Sequence, residues 1–490
     1  MKTKSGTDRR GFLKYAGTAV VANMASSFPS ARAAGAEAGM VRAAAPCNIL
    51  LVHCHDLGRY LHCYGVKTVQ TPNFDTFAAQ GVRFQNSFCT TPGCSPSRAS
   101  IFTGRFPHNN GVMGLTHGVF AWELNPDERH LAQLLRDGGY RTAAVGVIHE
   151  THAGAQRLGY EKYSPVSMAA PATDRALEFL RQFKAEPGKP FFLCVGYVEP
   201  HRLPYDEPPP GLIARDSTFP GKHLQPDDAL GVEIPGYLRD TPGTRRELAG
   251  LQGAIKHVDA QFGRLLATLQ ELKLEDQTLV IFTTDHGIAM PRAKCALYDP
   301  GTEVAFLLRH PARAGWHGGA APTALVSNID ILPTILDLVG LPIAPNVQGR
   351  SLAPLLDGRA YAPRAELFTE LTYHDYYDPR RAIRTATHKL IVNFTAAPAF
   401  MDPSQSWRPL ADVIVPANHA CAYHPLVELY DLAQDRWEQK DVAQDPQYAA
   451  VRAALLKRLH QHLVETDDPI LRGAITPPLH RDALRLLNTV

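Results

Sequence analysis

Cys94-Ser95-Pro96-Ser97-Arg98-Ala99-Ser100-Ile101-Phe102-Thr103-Gly104 places a thiol two residues before a proline and four before an arginine. Proline suits the first turn of a helix, where a missing N–H costs nothing. Ser97 to Phe102 are therefore expected to continue a helix, with Cys94 just outside its N-terminus. Backbone N–H groups and the helix dipole attract a tetrahedral anion at such a place, and Arg98, one turn on, can aim its fork at the same spot. Four other places carry groups suited to the same chemistry: His55-Asp56, His149, Glu199-Pro200-His201 and Asp285-His286. Carboxylates bind hard divalent cations through oxygen, which makes Asp56, Asp285 and His286 candidate metal ligands. His149 and His201 are candidate acid–base groups.

Cys-x-Pro-Ser-Arg followed by Thr-Gly resembles the signature of the formylglycine-dependent sulfatases, in which the cysteine is oxidised after translation to formylglycine. Further segments look like the heparan N-sulfatase branch of that family: Thr278-Leu279-Val280-Ile281-Phe282-Thr283, Leu297-Tyr298, Pro300-Gly301-Thr302 and Glu465-Thr466-Asp467-Asp468-Pro469. The likeness covers nearly the whole mature chain. It implies an alkaline-phosphatase-like fold with a small C-terminal domain, and hydrolysis of a sulfate ester or N-sulfate of a sulfated amino sugar or related glycan. It also implies a formylglycine-generating enzyme as partner and one divalent cation, calcium by family default and manganese second. Position 94 would then be a hydrated aldehyde within the metal shell, with Asp285 as base. Lys294, eight residues after His286, stands where the family places a sulfate-contacting lysine, and with Arg98 would offset sulfuryl charge. His201 would protonate the leaving atom, and His149 would assist release of sulfate. Lys294, His201 and His374 would touch substrate, with Arg384 also bordering the sugar pocket.

The chain departs from the family in two respects. Asp-Asp and Asp-Asn are common where it has His55-Asp56 and Asp285-His286. Two imidazoles beside two carboxylates suit manganese or zinc better than an all-oxygen set does, and His55 is either a ligand or a group behind the ligands. Gly146-Val147-Ile148-His149 aligns with the family's Gly-Lys-x-His, so Val147 replaces a lysine; Arg59 or Arg292 is expected to supply the missing charge. Asp-His also occurs in choline sulfatases and in formylglycine-dependent phosphonate and phosphodiester hydrolases. A phosphonate monoester or phosphodiester hydrolase is therefore the second reading. A glycan-binding relative with an unmodified Cys94 is the third, and a cysteine hydrolase the most distant.

These residues need elements that bring them together. Asn48-Ile49-Leu50-Leu51-Val52, Thr142-Ala143-Ala144-Val145, Pro190 to Tyr197 and Thr278 to Thr283 read as buried parallel strands. Each runs into one of the polar groups above, and ligands bind beyond the carboxyl ends of such strands. Helices are expected over Thr71–Phe84, His130–Gly138, Ala176–Phe183, Arg246–Leu272 and Ile329–Val339. After Leu355 the pattern changes: Arg384–Asn393 and Leu429–Leu432 read as strands, and Tyr448–Val464 as a helix with Val451, Leu455, Leu459 and Leu463 on one side. The expected architecture is α/β, a mostly parallel sheet with helices on both faces over 46–355, plus a smaller α+β domain over 356–490. Residues 202–245, rich in proline, read as a lid or binding loop.

The 490 residues carry a formal charge of +2, which argues against a nucleic-acid binder. Asp8-Arg9-Arg10-Gly11-Phe12-Leu13-Lys14, a mild apolar run from Tyr15 to Met24, and Ala31-Arg32-Ala33 resemble a twin-arginine export signal over 1–34. A mature chain starting near Ala34 is expected in a bacterial periplasm or outside the cell, with the twin-arginine translocase as partner. No run of apolar residues is long enough for a stable membrane span. Eight scattered cysteines form neither CxxC pairs nor a dense framework.

Overall fold

Asn48 to Cys54 offers water almost no polar surface, as a strand covered on both sides requires. The computed structural model describes residues 47–204, 217–219, 223–397, 411 and 423–489; the expected export signal, Cys421 and part of the 202–245 segment lie outside the described residues. Asn48–Cys54 is β1, in the middle of a seven-stranded sheet. The others are Val82–Arg83 (β2), Arg141–Gly146 (β3), Lys162–Ser164 (β4), Phe191–Tyr197 (β5), Thr278–Thr284 (β6) and Phe306–Arg309 (β7). Their spatial order is β2-β7-β6-β1-β5-β3-β4. β1 pairs in parallel with β5 and β6, and β3 with β5 and β4, while β7 is antiparallel to both neighbours. Val52 sits opposite both Val195 and Phe282, so β1, β3, β5 and β6 end along one edge.

Side chains alternate across a strand, and the sheet separates two cores accordingly. Ile49, Leu51, Phe192, Cys194, Leu279 and Ile281 face one; Leu50, Val52, Leu193, Val195, Val280 and Phe282 face the other. Pro72–Gln80 (α1) covers the second face through Phe74 and Phe77, and Cys94–Thr103 (α2) covers the first through Ala99, Ile101 and Phe102. Ala169–Ala185 (α3) and Pro242–Glu271 (α4) add to the second, and Ile331–Val339 (α5) to the first. The helix expected to run to Phe84 stops at Gln80. A Cβ at Gly81 would lie 2.5 Å from the Leu308 carbonyl, and β2 begins directly after.

Four antiparallel strands follow the parallel sheet: Glu366–Tyr373 (β8), Tyr377–Thr385 (β9), His388–Asn393 (β10) and Val427–Asp431 (β11). The single strand expected over Arg384–Asn393 is instead a hairpin. The Thr385 hydroxyl accepts from the backbone of Thr387 and His388 and closes the turn. Ala449–Glu465 (α6) lays Leu455, Leu459 and Leu463 into the first core beside Ile383, Leu390 and Leu429. Ala44–Val490 thereby forms one compact unit. No helix among the described residues is long and apolar enough to cross a membrane.

Candidate active site

α2 begins with Cys94 itself, its N-cap being Gly93. The thiol is therefore the first helical residue rather than the one before it, and Pro96 lies inside the first turn. Cys94 Sγ is buried, 3.4 Å from His286 Nε2. The ends of β1 and β6 meet it. Asp56 has a positive φ of 49° and donates its backbone N–H to Asp285 Oδ1 at 3.0 Å. That bond locks the two loops together and turns both carboxylates toward Cys94. Lys294 Nζ donates to Asp56 Oδ2 at 2.9 Å and Oδ1 at 3.2 Å, and His286 Nε2 lies 3.2 Å from Oδ1. Asp285 Oδ2 faces His55 Nδ1 at 3.0 Å and Arg98 Nε at 3.4 Å.

Hydrogen bonds to backbone carbonyls orient two imidazoles. His286 Nδ1 donates to the Gly287 carbonyl at 3.0 Å, which turns Nε2 toward Cys94 and Asp56. His201 Nδ1 donates to the Arg202 carbonyl at 2.7 Å, so Nε2 accepts from Lys294 Nζ at 3.2 Å. His55 lies between His149 and His201, its ring centroid 5.2 and 5.3 Å from theirs. The His149 backbone is clamped at both ends: its N–H donates to the Glu150 carboxylate and its carbonyl accepts from Thr116 Oγ1. His374 is buried beside Gly93, with Nδ1 3.2 Å from Asp375 Oδ2 and Nε2 unpaired. Ten of the sequence-picked groups, His55, Asp56, Cys94, Arg98, His149, His201, Asp285, His286, Lys294 and His374, thus converge on one place.

Burial raises the Cys94 thiol, but Lys294 and His286 overcome it and hold the thiol well below its ordinary value. Burial also opposes ionisation of Asp285, yet His286, His55 and Arg98 hold its carboxyl far below the usual carboxylate range. Asp285 is thereby held as a carboxylate. Burial lowers His149 to about 4, so its imidazole is neutral near pH 7.

Four arginines do not stand where the sequence reading put them. Arg59 pairs with Glu303 at 3.0 Å and donates to the Gln85 carbonyl, and Arg292 donates to the carbonyls of Trp437 and Glu438. Neither guanidinium replaces the charge missing at Val147. Arg384 grips Asp299, at 3.0 Å, rather than bordering a sugar pocket. Arg98 turns its fork inward, to Asp285 and to His53 Nδ1 at 2.6 Å, instead of to an anion above the helix.

Sequence reasoning passed over His53 and His117. His53 lies two residues before His55, so strand alternation puts both on the face that α2 covers; that spacing was the available signal. His117 is exposed in a loop and stacks on His149, centroids 5.4 Å apart; no periodicity marks it. Ser97 Oγ donates to the Asp285 carbonyl at 2.5 Å and accepts from Asn328 Nδ2 at 2.9 Å, which ties α2 to the β6 loop.

One ligand atom from each of His55, Asp56, Cys94 and Asp285 falls within 4.8 Å of the others. His55 Nδ1 and Asp285 Oδ2 are both buried and, though 3.0 Å apart, neither makes a hydrogen bond of proper geometry. A buried imidazole nitrogen and a carboxylate oxygen left facing each other in this way fit a cation between them. A second group, His108, Glu370 and Asp468, holds its own cation: Arg381 grips Asp468 with two N–H groups at 2.5 and 3.0 Å. It joins β9 to the segment after α6.

Residues 47–341 match the sulfatase family, and residues 291–404 match the family described as N-sulphoglucosamine sulphohydrolase, C-terminal. The chain is 29% identical to N-sulphoglucosamine sulphohydrolase of Homo sapiens over 502 residues, 91% of this chain and 97% of that protein. It is 31% identical to arylsulfatase A of Homo sapiens over 445 residues, 81% and 83% of the two chains. Among solved structures, that of BT4656 in complex with its substrate D-glucosamine-2-N,6-O-disulfate has a TM-score of 0.65 at 20% identity, covering 86% of this chain and 99% of that one. The phosphonate monoester hydrolase of Agrobacterium radiobacter has a TM-score of 0.62 at 21% identity, covering 86% and 96%. At those identities the two structures share the fold.

Proposed function

The chain belongs to the sulfatase family, and from that premise we propose that it removes the sulfuryl group of a sulfated amino sugar or related glycan, at nitrogen or at oxygen. The observation that carries this reading is the start of α2 at Cys94, facing Asp56, Asp285, His286 and Lys294 at the carboxyl edge of the sheet. The choice of an amino sugar rests on the likeness to N-sulphoglucosamine sulphohydrolase, which extends into the C-terminal part of the chain.

A formylglycine at position 94 and a divalent cation among Asp56, Asp285, His286 and His55 would supply the oxygen nucleophile and the Lewis acid. The remaining work falls to side chains already in place. Lys294, buried and kept cationic by Asp56, offsets charge developing on the sulfuryl oxygens in a site that water does not screen. Arg98 acts behind Asp285, holding that carboxylate ionised and aimed. As the neutral ring, His201 only accepts at Nε2, from Lys294; in its imidazolium form it carries a proton at Nε2 and delivers that proton to the leaving nitrogen or oxygen. His149, neutral, takes a proton at its bare nitrogen as sulfate is released. His374, the residue after β8, faces the substrate. We place the working protein in the periplasm or outside the cell, exported through the twin-arginine signal over 1–34 and converted at Cys94 beforehand.

The test pairs mass with turnover. The peptide containing Cys94 should show the fixed mass loss of thiol-to-aldehyde conversion in active protein. Hydrolysis of N-sulfoglucosamine, an aryl sulfate, an aryl phosphonate and a phosphodiester should favour the sulfated sugar. Full activity with an unmodified Cys94, or a preference for the phosphonate or phosphodiester, would overturn the reading.

A further inference from the structure

The histidines at positions 55 and 286 make the chemistry of the pocket unlike that of an all-oxygen cage. His286 presents Nε2 to Asp56 Oδ1 at 3.2 Å, and its other nitrogen is tied to the Gly287 carbonyl. A ring fixed in that way cannot swing out and leave the oxygens alone to do the binding. His55 presents Nδ1 to Asp285 Oδ2 at 3.0 Å, both atoms buried and without a proper hydrogen bond. Calcium takes six to eight oxygens. Here two of the converging side chains bring nitrogen, and Lys294 already draws on both oxygens of Asp56. Mixed imidazole and carboxylate donors instead suit a first-row transition ion.

We infer that this chain binds a first-row transition dication, manganese or zinc, in preference to calcium, with His55 and His286 as its nitrogen ligands. The inference rests on reading the pocket as the metal centre of a sulfatase. It concerns which ion the chain takes, so metal binding tests it apart from turnover.

The probe is the metal alone, titrated into full-length protein stripped by a chelator, with conversion of Cys94 verified by mass. A Cys94→Ser chain serves as a second sample, because an unconverted thiolate would itself attract zinc. Manganese and zinc should bind at least about 100-fold more tightly than calcium in both samples. The pair His55→Asp and His286→Asn, which restores oxygen donors, should erase or reverse that ratio. Equal or tighter calcium binding by the unaltered protein overturns the inference, as does an unchanged ratio in the double variant. Pulsed electron paramagnetic resonance of the manganese-loaded unaltered protein needs no variant to fold. It should show coupling to two imidazole nitrogens, and a spectrum without nitrogen coupling overturns the assignment. Should the inference fail while N-sulfoglucosamine is still hydrolysed by converted protein, the sulfatase reading stands on its own.

Discussion

Lys294 and Asp56 lie 238 residues apart in the chain and meet without intervening water, the ammonium on both carboxylate oxygens. Removing only the charge, as in Lys294→Met, leaves Asp56 buried with less compensation and removes the cation facing the sulfuryl group. A fall in kcat of about 10²- to 10³-fold is expected, with turnover of the sulfated sugar as the measurement. His53 depends on its neighbour in a different way. A Cβ on Gly196 would meet His53 Cε1 at 2.5 Å and the Val147 carbonyl at 2.9 Å. Gly196→Ala should therefore push His53 off Arg98 and loosen Asp285, at a cost of about 1–3 kcal/mol in chemical denaturation. A stability equal to that of the unaltered protein would show that His53 has room to move. Glycine was needed here for close approach, and nothing local in the sequence distinguishes it from the other glycines.

At the scale of elements, α6 meets β8 through one stacked pair: the His462 ring lies 3.7 Å from that of Phe368, at 3° between planes, with Phe106 against its edge. Burial, followed by the nearby His108, lowers His462 to about 3. An unfolded histidine titrates near about 6.5, so between these values the unfolded chain binds more protons than the folded one. Stability from this group is full above about pH 6.5 and drains away as pH falls toward 3. His462→Phe keeps the stack and removes the proton site, so the denaturation midpoint should fall less steeply from pH 6.5 to 4. An acid limb as steep as that of the unaltered protein would place the titration elsewhere. The sequence showed α6 by its leucines, because a four-residue apolar repeat is local information. It did not show the hairpin at Thr385, where a hydroxyl closes a turn inside a run of strand-forming residues.

At the scale of the whole molecule, the described residues hold together by packing on both faces of the sheet, with no disulfide among them. The seven described cysteines are all free thiols, and most are buried in the cores. A reductant should accordingly leave the midpoint of thermal denaturation unchanged; a marked drop would reveal a bridge that the folded arrangement does not contain. Addition of the metal, by contrast, should raise that midpoint, since an ion that binds only the folded chain stabilises it by mass action.

Sequence alone determined which segments are buried strands, that β1, β3, β5 and β6 end in His55-Asp56, His149, His201 and Asp285-His286, and that a thiol stands at the start of a helix. Those features are written in short apolar runs, alternation and a single proline, all of them local. Only the tertiary structure decided where the charges point: Arg98 inward to Asp285 and His53, Arg59 to Glu303, Arg384 to Asp299, and Lys294 onto Asp56. A long side chain takes its direction from whichever partner the packed core brings within reach. Here that partner lies tens to hundreds of residues away, so no pattern along the chain could have named it.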